Sequence, residues 1–395
     1  MKSSILKALA LSGFAVSSAM AGSLYDTAPT IGIPESYAVS WAAHVSLGYD
    51  SNINSSADAQ ESAFVRAGVS SAYGEFESAD KISYNVGLGV MYYMREAYGT
   101  NNRVFPDITV GGTYERSLGS GSRIRLSANV AYQPEPDYSN GISSARARGN
   151  TFMWNVAANY SQPIDARLSW VVGVGTSGYL YEEREYRYDD RQYVTGSLGL
   201  NYKSSPATTY GLTLSYRLDR REYGENANNI YLNASATHAL DSVSSVYASL
   251  GLQCKNINDH TYFYPNFRAG YNRRLTEGLS ANLYVNLDNE NIGTYAFPTL
   301  NYLSDMAWRL GARLNYTISP MVTVFCGAEW FYCDYSRGTN GLQDMTQSTY
   351  VLSVGLNYSI TKHLSWNTTY KFTDGSKWAG DYTRSIVQTG FSYSF

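Results

Sequence analysis

Val39-Ser40-Trp41-Ala42-Ala43-His44-Val45-Ser46-Leu47-Gly48-Tyr49 decides the fold. Its odd positions, Val39, Trp41, Ala43, Val45, Leu47 and Tyr49, are apolar, and the residues between them are small or polar. A strand turns successive side chains to opposite faces, so this stretch has one apolar face and one polar face. Wound as a helix, at about 100° per residue, the same six apolar positions would spread around the whole cylinder. The arrangement returns over 82–92, with Ile82, Tyr84, Val86, Leu88, Val90 and Tyr92 on one face and Ser83, Asn85, Gly87 and Gly89 on the other. Residues 152–160, 279–287 and 306–316 repeat it.

Soluble sandwiches and membrane barrels both alternate, and the connections separate them. Short gaps follow Tyr73 and recur around 118–121, 162–165, 204–206, 239–242, 273–278, 318–320 and 361–362. Between them lie longer charged or glycine-rich connections at 134–149, 181–191, 219–229, 288–304 and 335–346. Short periplasmic turns opposite longer external loops are the pattern of bacterial outer-membrane barrels. Tyr73, Tyr114, Tyr160, Tyr202, Tyr271, Tyr316, Tyr358 and Tyr393 stand on the apolar face near the short-turn ends, with His238 at one place in the series. Tyr49, Tyr92, Tyr132, Tyr216, Tyr332 and Tyr370 stand at the opposite ends. Two such rings are the aromatic girdles of a wall crossing two headgroup layers. The fold class is therefore all-β: a single closed antiparallel transmembrane β-barrel of 18 strands, with 16 as the alternative count. Pro106 and Pro265 weaken the strands that hold them, because proline has no N–H for a ladder.

Composition agrees with this class. Only 16% of residues are charged, while 37 tyrosines and 34 glycines are present. Past the leader no apolar run reaches the roughly 18 residues of a membrane helix, which excludes a helical membrane protein. Residues 1–21 read as a signal peptide: Lys2 and Lys7, an apolar stretch from Ile5 to Val16, and the small-residue pattern Ala19-Met20-Ala21. Residues 22–36 form a short periplasmic segment, too short for a folded plug, and 37–395 form the barrel. The formal net charge is −3, and nucleic acid is not an expected partner. Cys326 and Cys333 share one strand and stand more than about 20 Å apart, so with Cys254 they make no disulfide framework.

The inner face is rich in Ser, Thr, Asn, Gly and Tyr, with charges at Arg66, Arg125, Arg217, Arg268, Arg309, Arg313, Glu329 and Lys371. At a tilt of about 40°, 18 strands give a backbone radius of roughly 16 Å, wide enough for a water-filled channel. Arg66, Arg268, Arg309, Arg313 and Glu329 are the pore-lining candidates. Arg268, Arg309 and Arg313 fall on strands two positions apart and predict a weak anion preference, partly cancelled where Glu329 nears Arg309. The alternative is that these arginines brace the wall. Inward Tyr231, Tyr247, Tyr264 and Tyr284 read as wall residues at the upper girdle, although tyrosine faces also suit stacking on a sugar. Segments 134–149, with Arg146 and Arg148, and 288–304, with Asp288 and Glu290, are candidate constrictions, the alternative being solvated outer loops. His44 is placed in the lumen, His238 in the lower girdle, His260 in an external loop and His363 near the periplasmic edge. None stands beside a serine and an acid at matching depth, so no catalysis is expected, and no cofactor or metal. Leu310→Arg should hinder assembly, and Gly311→Ser should be mild.

The last strand, Val387-Gln388-Thr389-Gly390-Phe391-Ser392-Tyr393-Ser394-Phe395, alternates to a terminal aromatic. With the pattern before it, this makes the chain resemble the outer-membrane β-barrel porins of Gram-negative bacteria over essentially its whole mature length. The resemblance implies that outward Phe391, Tyr393 and Phe395 act as the terminal signal read by the barrel-assembly machinery. It implies contact with outer-membrane lipids and passive diffusion of small hydrophilic solutes. An exporter or guide for a surface polysaccharide, and a closed-lumen receptor or structural barrel, are the alternatives. Neither the solute nor the oligomeric state is indicated.

Overall fold

The computed structural model describes residues 39–53, 55, 57–75, 80–96, 103–133, 150–182, 190–221, 226–257, 259–289, 306–335, 345–376 and 381–395. The expected leader and N-terminal segment lie outside them. Eighteen strands follow in chain order: β1 (Ser40–Asp50), β2 (Ser62–Glu75), β3 (Asp80–Tyr93), β4 (Val104–Ser117), β5 (Arg123–Gln133), β6 (Thr151–Pro163), β7 (Leu168–Tyr181), β8 (Arg191–Lys203) and β9 (Thr208–Arg221). The second half holds β10 (Ala227–Ala239), β11 (Ser244–Ile257), β12 (His260–Arg274), β13 (Leu279–Asn289), β14 (Met306–Ser319), β15 (Val322–Tyr335), β16 (Met345–Ser359), β17 (Leu364–Ser376) and β18 (Tyr382–Ser394). Each strand pairs antiparallel with its chain neighbours, and β1 pairs with β18 from Ala42↔Ser394 to Asp50↔Ile386. The sheet has no open edge. Phe395 extends the seam, its N–H donating to the Trp41 carbonyl at 2.9 Å.

Directly opposed residues share a face, so register carries the β1 alternation around the whole wall. Trp41, Val45, Leu47 and Tyr49 are exposed, as are Leu88, Leu198, Leu214, Leu250, Leu310, Leu352 and Phe391. An exposed apolar belt running around a closed sheet is stable in lipid and would aggregate in water. Among the described residues no helix is long and apolar enough to cross a membrane; the strands do the crossing. The girdle tyrosines take the outward positions expected of them, and Tyr49, Tyr202, Tyr216, Tyr316, Tyr370 and Tyr393 are exposed.

Several short turns share one chemistry. The side chain at the second turn position accepts backbone N–H groups that the turn leaves free. Asp165 Oδ1 takes those of Arg167 and Leu168 at 2.6 and 2.8 Å. Asp241 Oδ1 takes those of Val243 and Ser244, both at 2.7 Å. Thr361 Oγ1 takes those of His363 and Leu364 at 3.2 and 2.9 Å. The Arg167 and Leu168 N–H groups hold the Asp165 carboxyl below its ordinary range, and the Ser244 hydroxyl, followed by the backbone N–H groups, does so at Asp241.

Both awkward prolines occupy half-paired positions. Pro106 bonds into the β3 side, whereas the β4–β5 ladder begins only at Ile108↔Tyr132. Pro265 faces Leu252 of β11, whereas the β12–β13 ladder begins at Phe267↔Leu287. Each strand outruns one neighbour, so its proline needs no N–H on that side. Three expectations change. His260 does not lie in a loop; it opens β12, opposite Ile257. The β11–β12 connection is only residues 258–259, with Asp259 at φ 61°, which breaks the short–long alternation. A side chain at Gly311 meets an obstacle the alternation does not show, because its Cβ position lies against Cε1 of the Tyr284 ring, which would have to shift.

Candidate functional site

The site is the inner wall, and it is asymmetric. Over β3–β7 the inward residues are mostly small: Gly87, Gly111 and Gly173 sit among Asn85, Thr109, Asn129 and Asn159. Over β8–β15 they are aromatic and cationic. The Arg217 guanidinium lies 5.1 Å from the centroid of the Tyr193 ring and 5.3 Å from that of Tyr231. Lys255 Nζ lies 5.9 Å over Tyr264, Arg309 5.3 Å over Phe331 and Arg313 4.9 Å over Phe325. Stacking on a ring face holds each guanidinium against the wall, whereas Lys255 is buried and donates to Asn289 at 3.3 Å.

Carboxylates are interleaved with these cations. Arg217 donates to both oxygens of Asp219, at 2.7 and 3.2 Å. Arg268 donates from Nε to Asn286 and from Nη2 to Asp288, each at 3.2 Å. Arg66 on β2 reaches across β3 to Asp107 on β4, over Gly89, which leaves the crossing open. Glu329 accepts from the Tyr284 hydroxyl; among the described residues no ion pair joins it to Arg309, so the expected cancellation takes another route. Tyr284, Gly311 and Glu329 lie in one row, so the hydroxyl reaches the carboxylate across the glycine. Arg313 bonds Asn315 at 3.1 Å, and no described carboxylate is within ion-pair distance of it.

The candidates Arg66, Arg268, Arg309, Arg313 and Glu329 all face inward, with Arg268, Arg309, Arg313 and Glu329 on one wall and Arg66 far around the barrel. Sequence reasoning missed Asp107, the partner of Arg66, and Asp219, the partner of Arg217, and it missed Lys255. Asp288 belongs to β13 rather than to a constricting loop. Segments 134–149 and 290–304 lie outside the described residues. The inward tyrosines do not all stand at the upper girdle: Tyr247 is the fourth residue of β11, near the short-turn end.

Another group of inward residues narrows the long-loop end. Ile53, from the connection after β1, is buried among inward Phe64, Met91, Tyr93 and Phe105, with Ile386 packed beside them. Asn52 Nδ2 donates to Thr383 O at 3.0 Å, and the Ile53 N–H to Gln60 O at 2.8 Å, which folds this connection onto the wall. The histidines stay apart. His44 lies over Gly68 in the lumen, His238 Nδ1 meets Thr208 Oγ1 at 2.8 Å outside, His260 neighbours Tyr262, and His363 Nδ1 is 2.9 Å from Ser394 O. Among the described residues no three His, Cys, Asp or Glu side chains stand together as a metal site.

No protein-family model matches the chain, and no curated protein matches it in sequence. Solved structures do. It is similar to the outer membrane protein opdK from Pseudomonas aeruginosa, with a TM-score of 0.50 and 9% identity over 91% of this chain and 99% of that one. OpdK of the same organism with vanillate gives a TM-score of 0.48 and 10% identity, over 90% of this chain and 99% of that one. OccAB4 of Acinetobacter baumannii gives 0.47 and 10%, over 90% and 98%. At such identities the likeness is one of fold. Closure, register and the apolar outer belt agree with that likeness: this chain has the fold of a closed 18-stranded antiparallel transmembrane β-barrel.

Proposed function

We propose that the barrel is a passive channel for small hydrophilic solutes, with a weak preference for anions and no catalytic step. One observation carries the reading. Along the inner wall of β9–β15, the cations that reach the lumen, Arg217, Arg268, Arg309 and Arg313, outnumber the carboxylates Asp288 and Glu329, while Lys255 and Asp219 are buried. Selectivity follows the charges along the narrow path rather than the net charge of the chain. Arg313 matters most, because no described carboxylate offsets it. The folded barrel in a planar bilayer should conduct in potassium chloride, and its reversal potential under a salt gradient should favour chloride. Arg313→Ala should move that potential toward cation selectivity. A folded barrel that does not conduct, or a cation-selective parent unchanged by Arg313→Ala, overturns the proposal.

A further inference from the structure

We propose that the inner wall of β11–β15 is a binding lane for the pyranose rings of a saccharide; this rests on the channel reading and names a class of solute. Tyr247 and Tyr284 are directly opposed to Gly270 and Gly311. Each ring lies across its glycine, in the space a Cβ would fill. The pairs Tyr247–Gly270 and Tyr284–Gly311 lie in one row of directly opposed residues. The two rings are thus two strands apart, about 10 Å. A ring pressed against the wall in this way offers its other face to the lumen, as an apolar platform that does not narrow the passage.

The polar groups around the platforms are mixed in kind. Glu329 accepts from the Tyr284 hydroxyl at the edge of that platform. Arg268 holds Asn286 and Asp288, and Arg313 holds Asn315 above the Phe325 ring. A solute on this lane needs a flat C–H face for the tyrosines, acceptors for the guanidinium groups and donors for Glu329. A pyranose has all three, since each hydroxyl both donates and accepts. A simple anion has neither a donor for the carboxylates nor a flat C–H face for the rings, so it passes the lane without being held. The β3–β7 wall opposite has glycines, threonines and asparagines at comparable places, so contact is one-sided and a chain of sugars can slide.

The test is maltohexaose added to the folded barrel conducting in a planar bilayer. Reversible current blockages are expected, and Tyr284→Ala and Tyr247→Ala should each raise the half-blocking concentration by about three- to tenfold. Thr109→Ala on the far wall should not. Heat-modifiable mobility on a gel verifies that each variant folds. Conductance without blockage, blockage unchanged in both tyrosine variants, or blockage by benzoate in place of maltohexaose overturns the lane. Failure to conduct overturns the channel reading instead. Titration calorimetry of maltohexaose against the detergent-solubilised barrel then decides the lane by itself, and an absence of binding heat sinks it.

Discussion

Replacing Asp50 by Asn should weaken the barrel at its seam, where the first strand meets the last. Arg384 on β18 donates from Nε to Asp50 Oδ1 at 2.9 Å and from Nη2 to Oδ2, and the Asn52 N–H gives Oδ1 another donor at 3.0 Å. The side chains are 3% and 0% exposed. Gln388 bonds Ser46 at 2.8 Å farther down the same seam. A buried cation deprived of its countercharge costs about 3–5 kcal/mol. Asparagine keeps the shape and one acceptor, which places the loss near the lower end, about 3 kcal/mol, or roughly two powers of ten in the folding equilibrium. Arg384→Met should cost a similar amount, because it strands Asp50. The double variant should lose clearly less than the sum of the two singles, since it leaves no buried charge and asparagine still accepts from the Asn52 N–H. Urea titration in detergent micelles, followed by heat-modifiable mobility, measures all four proteins. An Asp50→Asn loss below about 1 kcal/mol, or a double-variant loss equal to the sum of the singles, refutes the reasoning.

Leu310→Arg puts a cation on the lipid face and should cost about 2–4 kcal/mol, read as a smaller folded fraction on a gel. Gly311→Ala, one residue along and facing inward, should also destabilise by evicting the Tyr284 ring, and adding Tyr284→Ala should relieve it; a Gly311→Ala barrel as stable as the parent would show that the ring does not lie there. Asp165 and Asp241 have folded-state values below that of a free aspartate, so their contribution is full above about pH 4 and is lost as pH falls through the lowered values. The gap in thermal midpoint between the parent and Asp165→Ala/Asp241→Ala should therefore be constant near neutrality and close in acid, and a gap independent of pH counts against the turn carboxylates. Peptide tags inserted at 185 and 340 should be reached from outside intact cells and a tag at 204 should not; the reverse pattern would invert the barrel.

What could be read from the chain divides along the two faces of the wall. Lipid imposes one demand on every outward residue, and that demand appears locally, two residues apart, so strand starts, faces and girdles were legible from 39–49 onward. Cys326 and Cys333, seven residues apart, fall on opposite faces of β15, one exposed and one buried. Inward residues answer instead to partners, and partners are set by register, which alternation does not contain. Arg66 and Asp107 meet across an intervening strand, 41 residues apart. Judged by depth alone, Glu329 belonged with Arg309; judged by register it faces Gly311 and so falls to Tyr284. Asp288 looked like loop because Asp, Asn and Glu crowd 288–291, yet its pairing with Arg268 draws it into β13. One inward signal was present and went unread. Gly48, Gly270, Gly311, Gly355 and Gly375 each stand directly opposite an inward aromatic: Phe64, Tyr247, Tyr284, Phe325 and Tyr382. In each case the ring occupies the place of the missing Cβ. A glycine in a strand interior sacrifices stability unless a neighbour covers it. Inward glycines therefore constrain register: sliding one strand by two residues keeps every face correct but drives these rings into side chains. The pairing of platform and gap ties the lumen's chemistry to the barrel's closure, because the rings that line the passage also hold neighbouring strands in step.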